Sequence, residues 1–338
     1  MSGSELILAL DAGTQSVRAI LFDLAGNVVA SRREALPPWE APLPGWAQLP
    51  APLFWQKLCQ AVQGVWRDRP EAKKALAAVS LTTQRNTLVA VDERGVALRP
   101  AILWPDQRTA EAVPPLPAWW RLLFFLAGQR DTAAWLQKQA KVNWLCFHEP
   151  HTWARTYKAL LLSGYLTRQL TGSFVDAAAC QVGYLPFDYR RQEWASGRDW
   201  KWRALAVDRS RLPDLVRPGD LLGEITAAEA TGIPRGTPLL AAAADKACEA
   251  LGAGCLTPDR ANVSYGTAAA VDVVSSRYIE PWPLFPAYPG AVPGTWNLEV
   301  QVFSGFWLVS WFVRDFGAGK TEEVLDALCE AVPPGPGG

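Results

Sequence analysis

Leu6-Ile7-Leu8-Ala9-Leu10-Asp11-Ala12-Gly13-Thr14-Gln15-Ser16-Val17-Arg18-Ala19-Ile20-Leu21-Phe22 contains two apolar runs separated by small and polar residues. The first run, Leu6–Leu10, is short and stops at a charge, which predicts a buried strand. Ala12–Ser16 breaks the pattern, and Val17–Phe22 resumes it as a second strand. Asp23-Leu24-Ala25-Gly26-Asn27 is a further turn signal before a third strand at Val28–Ser31. The chain thus opens as an antiparallel meander.

Beyond the meander, Pro37–Pro52 reads as a proline- and tryptophan-rich loop, and Ala51–Arg67 has helical spacing in Leu53, Trp55, Leu58, Val62 and Trp66. Val79–Thr82 predicts a strand, followed by a hairpin across Asp92-Glu93-Arg94-Gly95. Residues 116–172 read as largely helical, their Trp, Leu and Phe as core. Thr226-Ala227-Ala228-Glu229 has the form of a capping box opening a short helix that stops at Gly232. Leu239–Ala244 then predicts a strand ending at Asp245, with a helix just after it. Ala261–Ser264, Tyr265-Gly266-Thr267 and Ala268–Val274 repeat the opening plan of strand, Gly-Thr turn and strand. Two copies suggest two homologous domains; two unrelated hairpins would read the same.

At 338 residues the length suits about two domains, and 49% hydrophobic residues supply a sizeable core. Lysine plus arginine equal aspartate plus glutamate at 33 each, so charge offers no reason for a nucleic-acid or anionic-membrane partner. Six scattered cysteines without a CxxC pair read as buried thiols in a reducing compartment. Leu6–Leu10 has no basic flank, as a signal peptide would, and Leu122–Gly128 is too short to span a bilayer. These features together predict a cytoplasmic protein.

Chemistry concentrates in the first turn. Gly13 permits a tight turn whose amides can cradle phosphate oxygens; Thr14 and Ser16 add hydroxyls, Arg18 adds charge, and Asp11 could hold magnesium directly or through water. An ordinary polar hairpin tip fits the same residues. Asp245, at a strand end, suits either a carboxylate pointing into a cleft or a helix N-cap. By residue type alone, Arg85 and Trp104 read as a surface arginine and a core tryptophan. Asp106 and Arg108 could instead pair with each other and fix their loop. His148-Glu149-Pro150-His151 is rejected as a metal site, because Pro150 interrupts the helix that would align ligands and no third ligand is evident.

The segment Asp11–Arg18, including Gln15, resembles the first phosphate motif of the superfamily of sugar kinases, actin and the Hsp70 chaperones. Tyr265-Gly266-Thr267 resembles its second. Three stretches are similar to the FGGY branch of carbohydrate kinases: Thr83-Gln84-Arg85-Asn86; Ala101–Arg108, a W-x-D-x-R segment; and Ala244-Asp245-Lys246 with Ala250-Leu251-Gly252-Ala253-Gly254. The resemblance implies an α/β protein of the actin-like ATPase (ribonuclease H-like) fold, mixed sheets flanked by helices. It implies a sugar-binding domain over 1–245 and part of a nucleotide-binding domain over 246–338.

Its implied activity is ATP- and Mg2+-dependent phosphorylation of a sugar or polyol. Asp245 is then the general base, and Arg85, Asn86, Trp104 and Asp106 bind substrate. Asp11, Gly13, Thr14, Gln15, Ser16, Arg18, Gly266 and Thr267 bind nucleotide, Asp11 through the metal. Asn86 and Lys246 depart from the acidic residue and glutamine of glycerol kinases, and Arg85-Asn86 from the Met-His of xylulokinases. The glycine-rich adenosine segment of the family does not occur in the sequence. The expectation is therefore a chain silent alone, with apolar surface near Phe303–Trp307 that favours a homodimer or a complementing C-terminal half. A non-catalytic remnant or sugar-binding module is the rival.

Overall fold

The computed structural model describes residues 5–111, 113–265, 269–302, 305, 307–330 and 332. The meander forms as the pattern requires: β1 (Leu6–Ala12), β2 (Ser16–Asp23) and β3 (Val28–Ala35) pair antiparallel, with Asp11 opposite Arg18. Strand Leu76–Thr83 lies parallel to β1 on its other side, followed by Pro238–Ala241, also parallel, and by Leu221–Glu224 at the edge. The result is a six-stranded mixed sheet. Alternation along β1 buries Leu6, Leu8, Leu10 and Ala12, and the helix Ala51–Asp68 packs across β2 and β3 through Phe54, Leu58, Val62 and Val65.

The helical expectation for 116–172 holds for Ala118–Leu126, Arg130–Gln139, Lys141–His148, Pro150–Arg155 and Leu162–Thr171, the last closed by left-handed Gly172. Inside it, Lys158–Leu161 is a strand, antiparallel to Leu88–Val91. Four apolar residues cannot announce their partner; the pairing decides their conformation. The capping box is also corrected. Thr226 Oγ1 donates to the carbonyl of Leu170 at 3.3 Å, Ala227 occupies the cap position, and the helix spans only Ala228–Thr231. The last-turn carbonyl of helix Leu162–Thr171 lacks an intrahelical donor, and the Thr226 amide meets it too.

A second sheet follows helix Asp245–Gly252. Ala261–Tyr265 and Ala269–Ser275 pair as the predicted hairpin, Trp296–Val302 adds to it, and Tyr288–Pro289 closes the edge. One face turns Asp272, Asn297 and Glu299 inward; the other exposes Val263, Val271 and Val300. Gly266, Thr267 and most of the Phe303–Trp307 stretch lie outside the described residues. All six cysteines are unpaired, and Cys329 is exposed, against the expectation of burial. No described helix is long and apolar enough to cross a membrane.

The Asp106–Arg108 pair lies wholly beneath the surface. Both side chains are at most 1% exposed, Arg108 forks onto Asp106, and the Ala47 amide donates to Asp106 Oδ2 at 2.6 Å. The guanidinium is stacked between Trp46 and Trp144, at 3.8 and 4.6 Å from their ring centres. Asp106 therefore cannot meet a sugar, as its motif suggested, because its oxygens are consumed in tying the loop 103–108 to residues 45–48. Breaking one partner leaves a buried charge uncompensated, so Asp106→Asn should lose about 3–5 kcal/mol of stability in urea unfolding. A loss below about 1 kcal/mol, as for an exposed pair, would contradict this placement.

Candidate active site

The carboxyl ends of β1 and its parallel neighbours meet the second sheet around helix Asp245–Gly252. Asp245 is the first residue of that helix and not its cap, since Ala244 holds the cap position. The Lys246 amide donates to its Oδ1 at 2.8 Å, and its side chain keeps 38% exposure. Burial pushes the Asp245 carboxyl above the ordinary range, against the pull of Arg85 and Lys246. Asp11, at the end of β1, is also raised by burial and by the charges of Asp245 and Glu249, while Arg18 at 3.3 Å opposes the rise.

The first turn is drawn by its own bonds. The Gly13 amide closes the hairpin onto the Ser16 carbonyl at 3.0 Å, and the Gln15 carbonyl accepts from Leu36. The described residues give the Thr14 and Gln15 amides no hydrogen-bond partner. A side chain at Gly13 would meet nothing closer than the Ser16 carbonyl at 3.5 Å, so the fold itself does not demand glycine there. Ser16 is buried within β2.

Thr14 links two predicted segments. Its hydroxyl donates to Gln84 Oε1 at 2.7 Å and accepts from Trp104 Nε1 at 2.8 Å. Trp104 is 38% exposed, with its indole nitrogen anchored to the first turn. Gln84, which sequence reasoning gave no role, is buried with Nε2 lacking a partner.

Arg85 is placed differently from the expectation that it meets sugar hydroxyls. Its Nη1 and Nη2 donate to both oxygens of Glu299 at 2.5 and 2.7 Å, its Nε lies 3.6 Å from Asp245 Oδ1, and Tyr288 lies 5.4 Å from its guanidinium carbon. Burial alone would lower its affinity for a proton, but Glu299 outweighs that and holds it charged. Glu299 was missed. Only the sheet brings residue 299 to residue 85, and nothing local marks it.

Asn86 has φ of 49°, in the left-handed region that asparagine tolerates better than most residues. Its amide donates to Val182 at 2.9 Å, and buried Lys141 donates to its carbonyl at 2.5 Å. Asn86 borders a cavity of about 370 Å³ walled by Trp135, Tyr184, Trp200, Phe285 and Tyr288. Tyr288 connects this cavity to Arg85.

No group of three or more His, Cys, Asp or Glu side chains among the described residues could hold a metal alone. Magnesium bound beside phosphates needs only one or two protein carboxylates, and Asp11 at the end of β1 fits that requirement. In the rejected His148–His151 segment, Glu149 pairs with Arg99 at 3.0 Å and Pro150 opens a helix.

A sequence model of the N-terminal domain of the FGGY family of carbohydrate kinases matches residues 6–252. The chain belongs to the FGGY family. It is 27% identical to a xylulose kinase of Lactococcus lactis, over 97% of this chain and 65% of that protein. It is 30% identical to a glycerol kinase of Bordetella pertussis, over 98% of this chain and 67% of that one. Xylulose kinase from Rhodospirillum rubrum superposes with a TM-score of 0.83 at 25% identity, covering 98% of this chain and 68% of that structure. The fold is thus the actin-like one of these kinases, and the chain spans about two thirds of their length.

Lys141 makes the Asn86 turn sensitive to pH. Burial pulls the Lys141 ammonium down to about 7, with Asp106 opposing and Arg108 assisting. Between that value and the ordinary lysine range the unfolded chain binds the extra proton, so this group makes the fold more stable as pH rises above about 7. Below it both states are protonated and the penalty of the buried charge is fully present. The stability advantage of Lys141→Met should therefore be largest near pH 6 and shrink towards pH 10, measured by urea unfolding across that range. A constant difference would mean that Lys141 does not titrate there.

Proposed function

We propose that the protein transfers the γ-phosphoryl group of ATP to a hydroxyl of a sugar or polyol, with Asp245 as general base. The observation that carries this reading is the position of Asp245, a half-exposed carboxylate between two functional flanks. On one side stand Asp11 and the first hairpin. On the other stand Arg85, Asn86 and the aromatic-walled cavity. An alcohol is a poor nucleophile, so transfer requires it in line with the γ-phosphorus and its proton accepted as the new bond forms.

In this reading the acceptor lies in the cavity beside Asn86, its reacting hydroxyl directed at Asp245. Trp104, held by Thr14, forms the boundary between acceptor and phosphates. The Thr14 and Gln15 amides face the phosphate oxygens, and the absent side chain of Gly13 leaves room for their close approach. Gly266 and Thr267, in the second phosphate motif of the sequence, are assigned to the nucleotide as well. Asp11 would hold magnesium, which when bound would supply positive charge to the phosphates. The hydroxyl proton passes to Asp245, and the acceptor oxygen bonds to the γ-phosphorus as the phosphorus bond to the β–γ bridging oxygen breaks and ADP leaves with that oxygen. Residues 1–245 serve the acceptor and 246–338 begin the nucleotide-binding side.

Asp245→Asn nearly preserves shape and the helix start. In the whole enzyme, sugar-dependent ADP release should fall at least about a hundredfold, the lower bound for loss of a placed base. Acceptor binding, followed by thermal shift over a sugar and polyol series, should survive. Undiminished turnover would remove Asp245 from the chemistry.

A further inference from the structure

The Arg85 guanidinium stands between two carboxylates and does not divide itself equally. Glu299 receives the fork at 2.5 and 2.7 Å, whereas Asp245 receives only the approach of Nε at 3.6 Å. Glu299 is 6% exposed and Asp245 38%. A forked carboxylate has its oxygens engaged and holds a proton weakly, so a base serving a substrate hydroxyl must be spared that geometry.

We propose that Glu299 is a positioning residue that holds the fork of Arg85 away from Asp245 and so leaves Asp245 available as a base. The proposal rests on the kinase reading of Asp245. A buried guanidinium stripped of its partner turns to the nearest remaining carboxylate, because an unpaired charge there is strongly destabilising. Asp245 is that carboxylate. Asp272 aside, the groups around Asp245 are already engaged or are thiols. Lys246 is already bonded to Glu249 and Ser264, Asp11 is paired with Arg18, and Cys180 and Cys248 are thiols pushed upward by burial. Behind Glu299, Asp272 occupies the opposing position on the next strand, wholly buried with Oδ1 lacking a partner. Burial, with the charge of Glu299, raises the Asp272 carboxyl to about 6, which weakens it as a rival partner for Arg85.

The test follows Asp245 by carboxyl-carbon NMR in the whole protein labelled with 13C-aspartate, its resonance identified as the one that Asp245→Asn removes. Glu299→Gln should move the titration of Asp245 to lower pH than wild type, as Arg85 forks onto it. Arg85→Met should move it to higher pH, and the double variant should follow Arg85→Met. In turnover at saturating acceptor, Glu299→Gln should lose about tenfold or more, within the about 10²–10⁴-fold that a general base supplies. Adding Arg85→Met should recover part of that loss, which a purely structural role of Glu299 would not allow. An unchanged or upward titration in Glu299→Gln, or a double variant no faster than the single one, overturns the proposal. Should Glu299→Gln fail to fold, Arg85→Met alone must still raise the titration, and an unmoved Asp245 overturns it equally. Downward and upward shifts as stated in a protein that phosphorylates no acceptor would sink the kinase reading and leave the partition of Arg85 standing.

Discussion

A guanidinium buried between two sheets must be neutralised where it stands, and much of the site depends on how this one is. Arg85 leaves the end of a strand in the first sheet and meets Glu299 in the second. Desolvating such a pair is expensive, and only a bidentate geometry offsets the penalty. The pair therefore fixes more than two side chains. It joins the two sheets at the level of Asp245, and Tyr288, which also walls the cavity beside Asn86, lies against the guanidinium. Lysine would not substitute, because a point charge cannot hold both oxygens of Glu299 while directing a third donor at Asp245.

The first sheet was legible because its signals are local. Two apolar runs around a small-residue break can form little except a hairpin, and the helical spacing of Ala51–Arg67 appears as Ala51–Asp68. The second hairpin was found by the same pattern and pairs residue for residue from Ala261–Val273 to Tyr265–Ala269. What failed was local grammar overruled by a distant need. Thr226 has the sequence of a cap, yet the unmet carbonyl of Leu170 claims its hydroxyl. Lys158–Leu161 lies among helices but satisfies the edge of Leu88–Val91.

The site divides in the same way. Asp11, Asp245, Arg85, Asn86 and Trp104 come together from positions the motifs marked, whereas Asp106 from the same motifs is buried structure. A carboxylate two residues from an arginine reads identically whether the pair faces a ligand or lies under tryptophan rings; burial decides, and burial is not local. Glu299 and Lys141 carried no signal at all, and Gln84, though inside a motif, carried none of its role. Each matters through one contact made across the fold: the guanidinium of Arg85, the hydroxyl of Thr14 and the carbonyl of Asn86.

Lys246, the departure that set this sequence apart from glycerol kinases, gains a physical meaning here. One residue after Asp245, its ammonium donates to Glu249 at 2.6 Å and to Ser264 at 3.0 Å. The Ser264 hydroxyl completes the triangle by donating to the other oxygen of Glu249 at 2.9 Å. Ser264 belongs to the hairpin that leads to Gly266 and Thr267, so this triangle ties the helix of Asp245 to the second sheet as Arg85 does from the opposite flank. The two ties differ in strength. Arg85–Glu299 is sealed, whereas Lys246 and Glu249 are 25% and 42% exposed and their attraction is screened by water. Asp245 therefore sits between a rigid tie on the side of Arg85 and a softer one on the side of Ser264. In the proposed reaction, a base at Asp245 that must hold one partner steady while admitting and releasing another would be served by that asymmetry.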